Sequence, residues 1–379
     1  MNVRTCVTCS VILGALAAAA PAGVIQVAVP EASITALTGQ IDAQPEDMAV
    51  DALGRLIVVD EQGGIERILR FDSDGSNGVF ICDEADILSA LNAVNGTLTQ
   101  AAITINNIAV ATDGDLVFTN GDGGGPDNLV TVSNQASPAG TITVVCTAVS
   151  ASPSPIEGCV GSTVIGNTAY VCLNGAFGAA QDSVVAVDTN APGPQAPFTL
   201  IANQAALEAA TTGESAGGIN LGPIAASAMG DLIAADSNGA GTTDDIVLID
   251  LPGGTVALLV DDTDTEGDLG TTDIGYTGIA QDSAGAIWGA NTFGTAAGDD
   301  GILKLVGASG GAAFTHLLPE TQIAASVGAT PATMGAARMA YDPSSSRVYW
   351  VDQGGSDREG VLFVSQATVP AELSGFNAD

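Results

Sequence analysis

One short phrase occurs six times along the chain and constrains the fold more than any other feature. Its first copy is DALGRLIVVD at residues 51–60, an apolar segment that ends on an aspartate. The six copies end at Asp60, Asn120, Asn174, Asp236, Asn291 and Asp352, so successive copies lie 54–62 residues apart. Self-similarity at a near-fixed period indicates one supersecondary unit that buries its apolar faces against its own copies.

Each copy contains short apolar segments with the character of β-strands. In the first copy they are EDMAV, LIVVD, RILRF and GVFIC. They are rich in β-branched residues and bounded by Gly, Asp, Asn and Ser, which favours strands joined by turns. Four such strands per repeat are typical of a propeller blade. We predict an all-β fold, a six-bladed β-propeller with four antiparallel strands per blade and repeats that begin near residues 46, 106, 157, 222, 277 and 337.

The sixth copy lacks a fourth strand. After GVLFVSQ only ATVPAELSGFNAD remains, and Pro370 disfavours a central strand there. The segment ASITALTG at residues 32–39 precedes the first copy, where a fourth strand would belong. We therefore predict that residues 32–39 form an N-terminal strand that closes the last blade and protects its edge. Residues 23–379 would then form a single domain.

Residues 1–22 have the pattern of a secretory signal. MNVR supplies a positive end, VILGALAAAA an apolar core, and Ala20-Pro21-Ala22 a small-residue cleavage pattern. The apolar core is too short to span a membrane. The prediction is a secreted protein, extracellular or periplasmic. The alternative is an apolar N-terminal strand that the mature protein keeps.

Four cysteines follow this segment: Cys82, Cys146, Cys159 and Cys172. An even number of cysteines in an exported chain indicates disulfides. Alignment of the copies places Cys159 on a first strand and Cys172 opposite it on the second, so we predict a bridge between them. Cys82 and Cys146 would pair by exclusion, and two buried thiols are the alternative for that pair.

The charge balance is strongly acidic, with 8 Lys plus Arg against 43 Asp plus Glu and a net charge of −35. Nucleic acid and anionic membranes need clustered basic residues, so both are excluded as expected partners. An acidic surface remains soluble and attracts cations. Adaptation to a salty exterior, without any specific ligand, also explains most of the acids.

The Asp or Asn that ends the second strand recurs in every copy, which separates it from polar residues found in one copy only. A residue type that ends all six second strands cannot be explained by a site formed once per molecule. We predict that Asp60 and its counterparts bond the backbone of the following turn. Function is expected where the copies differ.

The starts of the first strands differ most between copies. Copies one to three carry Glu46, Asn106 and Glu157 there, whereas copies four to six carry Gly222, Thr277 and Ala337. Carboxylate and amide oxygens that converge on a channel suit calcium, and two carboxylates without a cation would repel each other. We predict one axial calcium ion held by Glu46, Asn106 and Glu157. Three polar residues that line a wet channel are the alternative.

A second, weaker calcium candidate is the segment DTDTEGDLGTTD at residues 262–273. Asp262, Asp264, Glu266 and Asp273 have the spacing of a calcium loop, with a glycine at its sixth position. The last ligand of such loops is a glutamate, whereas here it is an aspartate. In a chain this acidic, chance also produces such spacing.

The phrases PEDMAVDALGRLIVVD and NNIAVATDGDLVFTN resemble blades of the SMP-30/gluconolactonase and NHL-like (TolB-like) six-bladed propellers, and the likeness extends over all six copies. The resemblance implies one metal ion in the central channel. Glu46 matches the first-blade Glu of that family, Asn106 matches a middle-blade Asn, and Glu157 takes the place of another. Gly222 stands where that family has its fourth-blade Asp, the metal ligand and catalytic base.

Other enzyme classes find little support. The one histidine, His316, lies on an outer strand, and the chain has neither a nucleophile elbow nor a phosphate-binding loop. The leading hypothesis is a secreted, calcium-stabilised propeller that binds an extracellular protein partner or assembles with itself, without catalysis. The alternative is a metal-dependent lactone or ester hydrolase of the gluconolactonase type, in which Glu46, Asn106 and Glu157 hold the ion.

Overall fold

A computed structural model describes most of the chain. The described residues are 25–95, 103–121, 127–133, 135, 140–147, 158–176, 181–191, 193–194, 196–211, 219, 221–236, 244–261, 265–266, 275–291, 301–305, 314–328, 336–353 and 360–365. The predicted secretory signal at residues 1–22 lies outside these ranges. Among the described residues, no helix combines the length and the apolar character needed to cross a bilayer.

Six four-stranded antiparallel sheets form the blades of a propeller, which confirms the predicted fold. The strands are numbered β1 to β24 along the chain. The first blade contains β2 (Pro45–Val50), β3 (Leu56–Asp60), β4 (Arg67–Phe71) and β5 (Val79–Asp83). The second contains β6 (Ile105–Val110), β7 (Leu116–Asn120), β8 (Asn128–Val132) and β9 (Ile142–Thr147). The third contains β10 (Cys159–Ile165), β11 (Thr168–Ala176), β12 (Gln181–Asp188) and β13 (Phe198–Asn203).

The remaining blades follow the same order. The fourth contains β14 (Leu221–Ala226), β15 (Leu232–Asp236), β16 (Ile246–Ile249) and β17 (Val256–Val260). The fifth contains β18 (Tyr276–Gln281), β19 (Ile287–Asn291), β20 (Gly301–Leu305) and β21 (Phe314–Pro319). The sixth contains β22 (Ala336–Asp342), β23 (Arg347–Asp352), β24 (Gly360–Ser365) and β1 (Gln26–Pro30). Helices α1 (Glu31–Thr38), α2 (Glu84–Asn95), α3 (Gln204–Glu208) and α4 (Glu320–Val327) connect strands outside the sheets.

The core consists of apolar layers between neighbouring blades. The first strands β2, β6, β10, β14, β18 and β22 contact one another in a closed ring around the axis. Second strands such as β3 and β7 are buried at every position, because each blade is covered on both faces. Trp288 of the fifth blade and Trp350 of the sixth lie in one such layer and are fully buried. Burying a side chain of this kind stabilises the fold by about 2 kcal/mol or more.

An N-terminal strand closes the ring, as predicted, but the prediction placed it at the wrong residues. Strand β1 covers residues 26–30 and pairs antiparallel with β24, with Gln26 opposite Phe363 and Pro30 opposite Gly360. Residues 32–39, predicted as the closing strand, lie almost entirely in α1. Helix α1 begins at Glu31 and is terminated by Gly39, whose φ of 71° lets its N–H bond back to the carbonyl of Thr35.

Every inner strand contains a β-bulge near its N-terminal end. Pairing with the second strand skips Glu46 in β2, Asn107 in β6 and Arg338 in β22, and equivalent shifts occur in β10, β14 and β18. A bulge bends a strand and changes the direction of the side chain it carries. The bulges therefore decide which inner-strand residues face the axis and which face a neighbouring blade.

The two predicted disulfides are absent, and all four cysteines are free and buried. Because of the bulge in β10, Cys172 lies opposite Gly161 while Cys159 lies opposite Leu173. The two thiols belong to different core layers, one packed against the second blade and the other against the fourth. Cys82 and Cys146 also lie in separate layers. Burial raises the pKa of Cys82 to about 12 and that of Cys146 to about 11, so both are packed as unreactive thiols.

Candidate acidic metal site and axial cavity

The carboxylates and amides that end the second strands hold the chain where it enters the ring. In three blades the side-chain Oδ1 accepts a backbone N–H, from Gln44 to Asp60 at 2.6 Å, from Thr104 to Asn120 at 2.9 Å and from Gly275 to Asn291 at 3.0 Å. These acceptors are fully buried. In these three bonds the donor lies before the inner strand, whereas the prediction was a bond to the following turn; Asp60 also interacts with the backbone N–H of Gln62 in that turn. These residues are therefore structural.

The three residues predicted to hold an axial calcium ion have different surroundings. Asn106 donates from Nδ2 to the carbonyl of Cys159 at 3.2 Å, which ties the second blade to the third. Glu157 lies outside the described residues. Glu46 occupies the bulge of β2 and lies beside two other glutamates of its own blade. The axial ion stays a prediction.

Glu46, Glu61 and Glu66 form the acidic cluster. One carboxylate oxygen from each lies within 4.8 Å of those of the other two. Glu46 is the second residue of β2, Glu61 directly follows β3, and Glu66 directly precedes β4. The turn between β3 and β4 and the start of β2 thus share one end of the blade, and the backbone N–H of Glu61 bonds the carbonyl of Gln44 at 2.9 Å.

A two-glycine turn brings Glu61 and Glu66 together. Gly63 and Gly64 have φ values of 74° and 72°, a left-handed conformation that other residues adopt only with strain. The N–H of Gly64 bonds the carbonyl of Glu61 at 3.2 Å and closes the turn. The sequence EQGGIE therefore folds back with both carboxylates beside Glu46.

Glu66 is the buried member of the cluster. Its side chain is 1 % exposed, and its Oε1 accepts the backbone N–H of Ile105 in the second blade at 3.0 Å. Its Oε2 is buried and has no hydrogen-bond partner among the described residues. A buried oxygen without a partner is costly, so this site favours an additional proton or a bound cation.

The pKa values of the cluster also favour a bound proton or a bound cation. Burial raises the pKa of Glu46 to about 8, and a hydrogen bond and charge repulsion from Glu61 add to the effect. Burial also raises the pKa of Glu66 to about 8, with added repulsion from Glu61, Asp47 and Glu84. The site therefore resists full ionisation at neutral pH unless a cation is present.

The donor set suits a hard divalent cation. Calcium binds oxygens at about 2.3–2.6 Å, so two ligands on opposite sides of one ion lie about 5 Å apart. The 4.8 Å limit within the cluster is compatible with such a shell. Three carboxylates with neither His nor Cys suit zinc poorly. Water and backbone carbonyls would complete the six to eight ligands that calcium accepts.

The second predicted calcium loop lies mostly outside the described residues. Asp262, Asp264 and Asp273 are not described, and Glu266 lies in a helical turn next to Thr265. The N–H of Thr265 bonds the carbonyl of Asp261 at 3.3 Å. The loop at residues 262–273 stays a prediction.

A separate cavity of about 420 Å³ lies on the axis and is lined by the inner strands of all six blades. It is on the side of the ring where the first and second strands are joined by turns. Asp47 borders it, 3 % exposed, and its two oxygens accept the backbone N–H groups of Met48 and Ile108, each at 2.7 Å. Burial raises the pKa of Asp47 to about 6, although the charge of Arg338 opposes the shift.

Sequence reasoning missed Glu61 and Glu66. It compared only the starts of first strands, although the ends of second strands lie on the same face of a propeller. The signal that could have found them is two acids flanking a Gly-Gly turn in the first copy, next to the acid that starts that copy.

Comparison with known proteins supports the fold. Neither family models nor curated proteins match the chain. A solved structural genomics protein of unknown function from Bacteroides thetaiotaomicron matches with a TM-score of 0.51 and 10% identity over 86% of this chain and 70% of that chain.

Two further structures are similar at lower TM-scores. The calcium-binding protein regucalcin from Agrobacterium tumefaciens matches with a TM-score of 0.48 and 13% identity over 85% of this chain and 90% of that chain. Virginiamycin B lyase from Staphylococcus aureus matches with a TM-score of 0.48 and 12% identity over 90% of this chain and 99% of that chain. The six-bladed fold that the resemblance to SMP-30/gluconolactonase and NHL-like propellers implied is confirmed by the six four-stranded sheets of this chain.

Proposed function

We propose that the protein is a secreted, calcium-stabilised β-propeller that acts by binding, to an extracellular partner or to itself, and that its calcium site is the acidic cluster. Two observations carry the metal: the oxygens of three carboxylates lie within 4.8 Å of one another, and one of the three, Glu66, has a buried Oε2 without a hydrogen-bond partner among the described residues. Glu46 is shared with the axial site predicted from the sequence, whereas Glu61 and Glu66 replace Asn106 and Glu157. The missing base at Gly222 supports a role without catalysis.

Calcium in the cluster would stabilise the junction of two blades. Glu66 accepts the N–H of Ile105 at the start of β6, so an ion on Glu66 would keep this carboxylate ionised and fix its position where it holds the second blade. The same ion removes the repulsion between Glu46 and Glu61. Calcium that binds only the folded ring stabilises it by mass action, by about 2.7 kcal/mol at one hundred times the dissociation constant.

The test compares melting temperatures in calcium and in chelator. Wild type should melt several degrees lower in chelator, and the double variant Glu46→Gln plus Glu66→Gln should melt at the same temperature in both. The matched control is Asp113→Asn plus Asp188→Asn, which removes two exposed turn carboxylates but keeps their backbone acceptors. If the control loses the calcium effect as fully as the double variant does, the ion is not held by the cluster.

Export and assembly need separate measurements. Because the disulfides are absent, the argument for secretion rests on the N-terminal segment alone. Mass spectrometry of the protein from the culture medium or periplasm should give a chain that begins at residue 23. Retention of residues 1–22 in a cytoplasmic protein would overturn the proposed location. Light scattering of the mature protein, with and without calcium, would distinguish self-assembly from binding to another partner.

A metal-dependent lactone or ester hydrolase is the second candidate. The observation that favours it is the position of Glu46, the carboxylate that the resemblance assigns to the ion, directly before Asp47 at the axial cavity. Gly222 has no side chain that could act as a base. Its backbone carbonyl oxygen lies 2.7 Å from the position that a Cβ added to Gly161 would occupy. A lactone panel assayed with and without calcium tests this candidate: turnover that is lost in Glu46→Gln would favour the hydrolase over the scaffold.

A further inference from the structure

The axial cavity has the size and lining of a small-molecule site. Its volume of about 420 Å³ falls within the range of about 300–1,000 Å³ that such sites occupy. The ring of side chains near its mouth is mainly apolar, and its members are Val50, Val110, Val164, Ala226, Gln281 and Tyr341. All six are partly exposed. An apolar wall with a few polar groups at one end is typical of a site for an organic ligand.

Asn107 and Arg338 supply the polar end, and both have strained backbones. Their φ values are 52° and 35°, and each lies in the bulge of its inner strand. The other non-glycine residues with positive φ among the described residues, Asn77 and Ser346, lie outside the strands. Strain of this kind costs about 1–3 kcal/mol and persists where the surroundings enforce it, commonly at functional sites.

Neighbouring residues enforce the position of Arg338. Gly278 of β18 lies so close to it that an added Cβ would be 2.8 Å from the Arg338 backbone. The inner strand of the fifth blade thus needs glycine at this point for the backbone of Arg338 to approach. The chain has only 8 Lys plus Arg, and this one lines the cavity where all six inner strands meet.

The side-chain hydrogen-bond donors of Arg338 and Asn107 have no partner among the described residues. Among the described residues, the Arg338 guanidinium forms no ion pair within 4.0 Å and no hydrogen bond. The carboxylate of Asp47 lies within electrostatic range, but its oxygens already accept backbone N–H groups. The side-chain amide of Asn107 has no partner in this part of the structure either, and its Oδ1 is buried.

We propose that the axial cavity binds a small organic carboxylate, held by the guanidinium of Arg338 and the amide Nδ2 of Asn107, with its apolar body against the ring of side chains at the mouth. A planar guanidinium recognises a carboxylate through two parallel hydrogen bonds, which favours this anion over a neutral ligand of the same shape. Asp47 and Glu46 lie within electrostatic range of Arg338, so the anion is selected by hydrogen bonds from the guanidinium and not by the net charge of the cavity. The site is distinct from the acidic cluster and does not rest on calcium binding.

The test uses 4-phenylbutyrate and its neutral analogue 4-phenylbutanamide, titrated calorimetrically against the full chain in calcium and again in chelator. The carboxylate should bind at millimolar concentration or tighter and about tenfold more tightly than the amide. Arg338→Gln should abolish that preference, and Arg338→Lys should keep part of it. Arg347→Gln removes the same charge from an arginine that does not line the cavity and should leave the preference unchanged.

Asn107→Gly separates binding from folding. Glycine adopts the φ of 52° without strain, so the variant should melt no lower than wild type while it binds 4-phenylbutyrate several-fold more weakly. Equal affinity for carboxylate and amide, no binding of either at millimolar concentration, or equal binding by Arg338→Gln and Arg347→Gln would each overturn the proposal. Because each titration is done with and without calcium, failure of the acidic cluster to bind metal would leave this result interpretable.

Discussion

The first blade has two kinds of acidic side chain, and they differ in the partners that the fold provides for them. Asp60 belongs to the repeated set, and its Oδ1 accepts the N–H of Gln44 while Arg67 lies 3.6 Å from its Oδ2. Glu66 belongs to the acidic cluster, and among the described residues it has no cationic partner and its buried Oε2 has no hydrogen-bond partner. At the repeated position, which carries Asp or Asn, the fold supplies a backbone N–H, and Asp60 has a cation as well, although its buried Oδ2 accepts no hydrogen bond among the described residues. Glu66, which the first copy alone has, accepts one backbone N–H and lacks a cation, and the proposed calcium ion would supply one.

The largest effect is expected from the repeated set. Asp60→Ala leaves the N–H of Gln44 and the guanidinium of Arg67 without their buried partner, which should cost about 3 kcal/mol of unfolding free energy. Asp60→Asn should cost less, because the second and fifth blades use asparagine at this position. Denaturant unfolding of both variants measures the difference. Equal losses would mean that the hydrogen bond to Gln44 contributes little.

Removing the charge of Glu66 from the acidic cluster should have a smaller effect on the unfolding free energy, and of opposite sign. In chelator at pH 9, Glu66→Gln should stabilise the protein by about 1–2 kcal/mol, because glutamine keeps an acceptor for Ile105 and removes a buried charge. With calcium the order should reverse, since the variant lacks a ligand. Denaturant unfolding under both conditions tests the reversal. A variant less stable than wild type in chelator would show that the charge of Glu66 already has a partner.

The pH dependence follows from the raised pKa values. Glu46 and Glu66 have pKa values near 8 in the folded protein against 4.5 for an ordinary glutamate, so the folded state binds more protons between these values. Stability in chelator should therefore fall as pH rises from about 4.5 to about 8. The melting temperature measured across this range in wild type and in the Glu46→Gln plus Glu66→Gln variant tests it. The double variant should show a flatter profile, and an equally steep one would place the titrating groups elsewhere.

The smallest effect is expected at exposed turns. Asp113 and Asp188 are exposed, and each accepts a backbone N–H two residues on, a bond that asparagine also makes. Their replacement by asparagine should change the unfolding free energy by less than about 0.5 kcal/mol. The same denaturant series measures it. A larger loss would show that net charge, and not local bonding, controls the stability of this acidic chain.

The sequence predicted the repeat and its fold but not the partners of its polar groups. Six copies of a buried strand ending on Asp or Asn predict blades, because the period and the residue types are local properties. The closing strand was assigned six residues too late, since ASITALTG has both strand-like residues and a helix capped by Gly39. The Cys159–Cys172 bridge failed because a bulge that no local pattern announces moved Cys159 out of register with Cys172.

The candidate site was predicted only through Glu46. Its partners Glu61 and Glu66 follow from the geometry of the turn between β3 and β4, which a comparison of aligned first strands does not include. The partner of Asn106 is a carbonyl of the next blade, and such contacts between blades cannot be read from one repeat. The unpaired groups of Asn107 and Arg338 likewise depend on bulges seen only in three dimensions.

The most direct test of the central claim is calorimetric titration of calcium into metal-free protein. Wild type should bind one ion in the cluster, Glu46→Gln plus Glu66→Gln should lose that ion, and a variant with Asp262, Asp264 and Glu266 neutralised should retain it. Asn106→Ala should also retain it, because the cluster does not include Asn106. If the double variant binds calcium as tightly as wild type, or if wild type binds none at millimolar concentration, the acidic cluster is not a calcium site.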